Sequence, residues 1–246
     1  MRRIGEILEL WRYPVSSVAG ETVDEVYISP DGIVGDRQFA LLDRATGLPA
    51  APEQEPRWRP ALFLTCETSA DQIPQIGFPD GFRCSLADAA LPQRLTDYFG
   101  FPVEIGAYGL KTSHWRTDFP AAVNRYAPAP LHVLTTGSLT KLSQIGALTE
   151  TDRRRFRPSM LIDSGEESGF LENDWIGMTL QIGSLRAVVT EVTKRCGMTL
   201  IAQPGITDQP DILRNILRHN KRSLGIYCKV EHAASIRLGD AVYIAS

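Results

Sequence analysis

The chain has 246 residues, 43% of them hydrophobic and 22% charged, with a net charge of −3. That length can bury one large core or two smaller ones, and the acidic balance gives the molecule no general affinity for nucleic acid or anionic membrane. No apolar run approaches the ~20 residues a membrane-spanning helix needs, and Glu6 and Glu9 interrupt the apolar start without a small-residue cleavage site, so a soluble cytoplasmic protein is expected.

Short β-type runs open the chain at Ile7–Tyr13, Glu25–Ile28, Gln38–Asp43 and Leu62–Glu67. A helix is predicted over Leu91–Phe99, stopped by Gly100, and a strand follows at Val103–Ala107. Between Tyr108 and Pro130 the alternation is lost, which suits a connection near a subdomain boundary. Strands are then predicted at Leu131–Thr135 and Met160–Asp163, with a helix over Ser138–Gln144 capped by Thr136 between them. Further strands at Thr179–Ile182 and Leu185–Val192 lead to a helix over Asp211–His219, whose apolar stripe is Ile212, Leu213, Ile216 and Leu217. Strands at Ile226–Val230 and Ala241–Ala245 end the chain. Many short strands divided by turns such as Asp31-Gly32, Gly183-Ser184 and Gly239-Asp240 predict a mainly β, α+β protein with a barrel or folded sheet, not a βαβ array.

Four cysteines occur, at positions 66, 84, 196 and 228, with no C-x-x-C pair and no zinc-like spacing to histidine. Cys196 differs from the others. It follows a strand and sits between the cations Lys194 and Arg195 and the small Gly197. Adjacent cations favour a thiolate, and a thiolate is a natural ligand for a soft transition metal. A small buried hydrophobe flanked by solvated cations is the competing reading. The run Arg153-Arg154-Arg155-Phe156-Arg157-Pro158-Ser159 is the densest positive charge in the chain and suits either an anion site or a solvated loop. Arg157, between Phe156 and Pro158, is the member expected to face inward. Ser16 and Ser17 after Tyr13-Pro14-Val15, and Arg37 after Gly35-Asp36, fit an anion-binding turn or a plain one alike.

Taken in order, YPVSSVAG, GIVGDRQFALLD, LTTGSL, RRFRPSMLID, WIGMTLQIG, KRCGMT, LGIY and IRLGDAVYI resemble the MOSC proteins that carry an N-terminal β-barrel domain. That family includes the mitochondrial amidoxime reducing component and bacterial relatives. The resemblance implies a β-rich N-terminal domain over 1–115 and a MOSC β-barrel domain over 116–246, with a few short helices. It implies a molybdenum cofactor (Mo-molybdopterin), with Cys196 as the metal ligand. Arg37, Arg157, Lys194, Arg195, Ser17, Ser138 and Ser159 match cofactor-contacting positions, and Tyr227 matches an aromatic position lining a catalytic site with Cys196. Ser16 stands where relatives often have lysine, which removes one phosphate partner. Ser159 stands where relatives commonly have asparagine.

The implied activity is reduction of small N-hydroxylated substrates by oxygen-atom transfer. Neither a dinucleotide fingerprint nor an iron–sulfur cysteine pattern occurs in the 246 residues. Electrons are therefore expected from an external donor protein of reductase, ferredoxin or cytochrome type. Two alternatives use the same residues: a carrier or store for the cofactor, and a sulfur carrier with a persulfide on Cys196.

Overall fold

Successive strand side chains point to opposite faces, with burial alternating along Glu25–Ser29, Thr179–Ile182, Ala234–Arg237 and Ala241–Ala245, and this period of two lets one sheet wrap around an apolar interior. The computed structural model describes residues 1–69, 72–109, 119–125, 129–147 and 151–245. Seven strands, labelled in chain order, make a closed barrel: β1 (Arg2–Arg12), β2 (Leu131–Thr135), β3 (Met160–Asp163), β4 (Thr179–Ile182), β5 (Leu185–Lys194), β6 (Ser223–His232) and β7 (Ala241–Ala245). Their order is β3-β2-β6-β5-β4-β7-β1, and β1 pairs with β3 to close the ring. The pair β2–β3 is parallel, so it needs a crossover. Among the helices α1 (Leu91–Phe99), α2 (Thr136–Gly146) and α3 (Pro210–Asn220), α2 is that crossover.

Leu131, Val133, Ile162, Leu180 and Ile226 fill the barrel, while Leu134, Leu161 and Leu224 on the same strands point outward. There they pack with Leu142 of α2 and with Ile212 and Ile216 of α3. In β5 the register shifts between Val189 and Glu191, as a β-bulge does, so Leu185, Ala187 and Val189 face in and Val192 returns to the core two residues before the strand ends.

The first half adds a second core around Trp58, Leu64 and Leu95, under a four-stranded sheet ordered Ala121–Ala122, Val103–Tyr108, Phe39–Asp43 and Val15–Ser16. The halves are interlocked. β1 lies in the barrel, and Glu25–Ser29 pairs with Ala234–Arg237. The boundary expected near residue 115 lies outside the described residues, and strand pairings join the two halves across it.

Several predicted elements differ from those observed: β1 starts five residues before Ile7, and β6 runs from Ser223 to His232 where Ile226–Val230 is predicted. Leu62 and Phe63 end a 3-10 helix over Pro56–Phe63, because Pro56 and Pro60 hold helical φ and cannot donate to a ladder; the strand starts at Thr65. Helix α2 begins at Thr136, and Thr135 is its cap, its hydroxyl accepting Ser138 N at 3.1 Å. The strand predicted over Leu185–Val192 runs on to Lys194.

Leu10 tests the closure. It is fully buried, opposite Met160 on one side and Val23 on the other. Leu10→Ala is expected to lower unfolding free energy by about 2–5 kcal/mol in urea titration. A loss under about 1 kcal/mol would contradict a barrel sealed by β1.

Candidate functional site

A cleft of about 750 Å³ opens where the two halves meet. Eight of the sequence-predicted residues line it: Ser16, Ser17, Arg37, Arg157, Lys194, Arg195, Cys196 and Tyr227. The structure does not bring Ser138 or Ser159 to the cleft. Ser138 sits in the first turn of α2, where its hydroxyl donates to Gly169 O at 3.2 Å and to Glu172. The other carboxylate oxygen of Glu172 accepts Thr135 N at 2.6 Å, and burial pushes the Glu172 pKa up. This serine belongs to a buried helix cap. Ser159 is fully buried and bonds its neighbour in β2, its hydroxyl accepting His132 N at 3.3 Å and its own N–H donating to His132 O at 2.8 Å. It fixes a residue that does reach the cleft.

Three cleft residues have left-handed backbone: Ser17 at φ 66°, Arg37 at 45° and Arg157 at 52°. Non-glycine residues seldom adopt this region, and it clusters at functional turns. The Arg37 turn is held by Arg37 N donating to Tyr13 O at 2.8 Å and Tyr13 N donating to Asp36 Oδ1 at 2.7 Å, with Asp36 also paired to the Arg37 guanidinium. Arg37 Nη2 then donates to Arg157 O at 3.3 Å. Both guanidiniums lie over the Tyr13 ring, 4.9 Å and 4.2 Å from its centroid.

Arg195 is 7% exposed and packs 5.3 Å from the Phe156 ring centroid. It donates to Phe156 O, and through Nη1 to His132 Nε2 at 3.3 Å. Arg195 Nε and Arg157 Nη2 are buried without any hydrogen-bond partner. Burial lowers both guanidinium pKa values to about 10, which leaves them charged at neutral pH. Buried charged donors without acceptors are costly, and an anionic ligand would satisfy them.

His132, which no motif singled out, organises these cations. Its Nδ1–H donates to Arg157 O at 3.2 Å, and its Nε2 accepts from Arg195. Only the neutral ring can do both. Burial, reinforced by the charge of Arg195, holds its pKa well below 6.5. Gly225 makes the space. A Cβ there would stand 2.7 Å from His132 Nε2, and its φ of 78° strains any other residue. The one available signal was a histidine inside the apolar strand LHVLT.

Cys196 leaves the end of β5 partly exposed, while Cys66, Cys84 and Cys228 are buried. Burial raises the Cys84 thiol to about 11 and the Cys228 thiol to about 12, so both stay protonated. The Cys196 carbonyl accepts Thr199 N at 3.2 Å and its hydroxyl at 3.0 Å, starting the turn Gly197–Leu200. Arg155 braces that turn by donating to Thr199 O at 3.2 Å and Thr207 O at 2.6 Å. Arg153 pairs with Glu9 at 2.8 Å and Arg154 with Asp152 at 2.7 Å. The arginine run thus divides its work, and Arg157 carries its buried unpartnered donor. Lys194 turns its ammonium to Lys221 O at 3.2 Å and Ser223 Oγ at 3.1 Å. The Tyr227 ring meets His132 edge-on at 5.6 Å. Glu53, also absent from the motifs, borders the Cys196 turn: its Cβ is 3.6 Å from where a Gly197 Cβ would stand.

His132 makes stability depend on pH. The unfolded chain takes up a proton near pH 6.5 while the folded ring stays neutral, so stability falls as pH drops below that value. The limiting slope is about 1.4 kcal/mol per pH unit for one proton. Urea titrations at pH 7.0 and 5.5 are expected to show a steeper loss for the parent than for His132→Gln. Equal losses would contradict a buried neutral histidine.

The MOSC domain model matches residues 122–243, and the MOSC N-terminal beta barrel domain model matches residues 4–77. Mitochondrial amidoxime reducing component 2 of Macaca fascicularis is 24% identical over 301 residues, spanning 99% of this chain and 84% of that protein. The Bos taurus protein of the same name is 24% identical over 296 residues with the same shares. Among solved structures, the YUAD protein of Bacillus subtilis shares the fold with a TM-score of 0.52 at 11% identity, covering 98% of this chain and 94% of that one. With matches to both domain models in order along a strand-rich barrel, the chain belongs to the MOSC family and carries the N-terminal β-barrel domain as well.

Proposed function

We propose that this chain binds a molybdenum cofactor in the cleft and reduces N-hydroxylated compounds with electrons from a separate donor protein. The observation that carries the reading is the pair of buried, unpartnered donors, Arg157 Nη2 and Arg195 Nε, beside the partly exposed Cys196. A phosphate-bearing cofactor fits that donor set. Arg37, Arg157 and Arg195 would hold the anionic end, with the hydroxyls of Ser16 and Ser17 bordering it. Cys196 would hold the metal. Among the described residues no group of three or more His, Cys, Asp or Glu stands ready to hold an ion, so the other metal ligands would come with the pterin. The relatives named for amidoxime reduction support the substrate class.

When bound, the cofactor supplies two-electron oxygen-atom chemistry at the metal. Overall, an amidoxime, two protons and two electrons give an amidine and water. The chain's own residues do the rest. The carbonyls and rings around Arg157 and Arg195 keep two buried cations in place, and neutral His132 fixes the direction of Arg195. Tyr227 borders the cleft with a phenol that can give a proton to the departing oxygen. Access matters too: a sealed site would suit a store, whereas the open cleft and partly exposed Cys196 suit turnover.

The test is molybdenum-loaded protein with benzamidoxime and reduced viologen, which bypasses protein docking. Benzamidine is expected above a Cys196→Ser blank. No product from benzamidoxime or from a panel of other N-hydroxylated compounds would refute the reductase reading and leave the cofactor carrier. A second expectation concerns the anion clamp. Arg157→Gln should weaken cofactor retention by about 1.5–3 kcal/mol, the worth of a charged hydrogen bond. Unchanged pterin content after extended dialysis would remove Arg157 from the site.

A further inference from the structure

We propose that exposed cations at the end of α3 and at the end of β5 form a docking collar for an acidic electron-carrier protein; this rests on the reductase reading above. The chain is acidic overall, and several of its exposed arginines are paired with carboxylates. Arg3 pairs with Glu6, Arg44 with Glu104, Arg83 with Glu67, Arg214 with Asp211 and Arg237 with Asp240. Lys194, Arg218, Lys221 and Arg222 stand outside those pairs, as Arg2, Arg59, Arg186 and Lys229 do, but the first four are gathered together where β5 and α3 end. Lys194, Arg218 and Lys221 are exposed on the surface, Arg222 lies beside them, and none has a carboxylate partner among the described residues.

Two features argue against an accident of helix charge. The helix dipole favours a cation in the last turn of α3, which accounts for Arg218 but not for Lys194 from a different element. In addition, Lys221 and Arg222 have φ of 48° and 70°, consecutive left-handed positions where glycine or asparagine is easiest. The chain places cations there instead.

The collar also touches the chemistry. Arg195 N donates to Arg222 O at 2.8 Å, Arg222 Nε donates back to Arg195 O at 2.7 Å, and Lys194 Nζ reaches Lys221 O. These bonds tie the collar to Arg195, the residue before Cys196. A carrier with an acidic face around its redox group would be steered to this end of the cleft by charge, and the attraction would weaken with salt.

The probe is an acidic two-iron, two-sulfur ferredoxin of plant type, titrated calorimetrically into the full chain at low and high salt. The Arg218→Glu/Lys221→Glu variant is expected to bind at least tenfold more weakly than the parent at low salt. The Arg186→Glu/Lys229→Glu variant carries the same charge change on exposed barrel positions away from the collar and should bind within about twofold of the parent. Viologen-driven turnover of the loaded collar variant should match the parent, which separates this claim from the reductase reading. Three outcomes would overturn the collar: no ferredoxin binding by the parent, equal weakening in both variants, or collar-dependent binding to phosphatidylserine vesicles without ferredoxin binding.

Discussion

Two guanidiniums, those of Arg157 and Arg195, each with a buried donor to spare, are the constraint on which this site is built. An unpaired charge in a protein interior costs several kcal/mol, so Arg157 and Arg195 persist only where their surroundings compensate. Carbonyl oxygens take some of the N–H groups, the rings of Tyr13 and Phe156 face the cations, and His132 is kept neutral so that it can accept. What remains unsatisfied points to a ligand with the opposite charge.

The barrel seam supplies that arrangement. Tyr13 directly follows β1, and Arg157 precedes β3 by three residues. When β1 closes on β3, Trp11 N donates to Ser159 O at 2.9 Å and the Tyr13 hydroxyl donates to Pro158 O at 3.2 Å, which draws Arg157 over the Tyr13 ring. Packing in the core and the placement of Arg157 in the cleft are thus one event. It also explains why the first half cannot be separated cleanly from the second.

Much of this was legible in the sequence, for local reasons. Alternation marked the strands, Gly100 marked the end of α1, and the cations beside Cys196 marked a chemically distinct cysteine. Residues expected at strand ends share one cleft because barrel strand ends cluster in space. The failures have non-local causes. Ser138 and Ser159 stand in recognisable motifs, but their hydroxyls are used by Glu172 and by His132, partners that only the fold reveals. His132 was overlooked because its role depends on Arg195, 63 residues away. Within the arginine run the flanking Phe156 and Pro158 single out Arg157, whereas the bracing and pairing roles of Arg153, Arg154 and Arg155 depend on tertiary contacts.

The central claim is that Cys196 anchors a metal carried on an anionic pterin. It is tested most directly by metal and pterin analysis of the protein purified from a host able to make the cofactor. The account predicts molybdenum and pterin at near one per chain in the parent, and loss of molybdenum in a Cys196→Ser protein that still folds. Metal-free parent protein with sulfur bound to Cys196 would contradict it and establish a sulfur carrier instead.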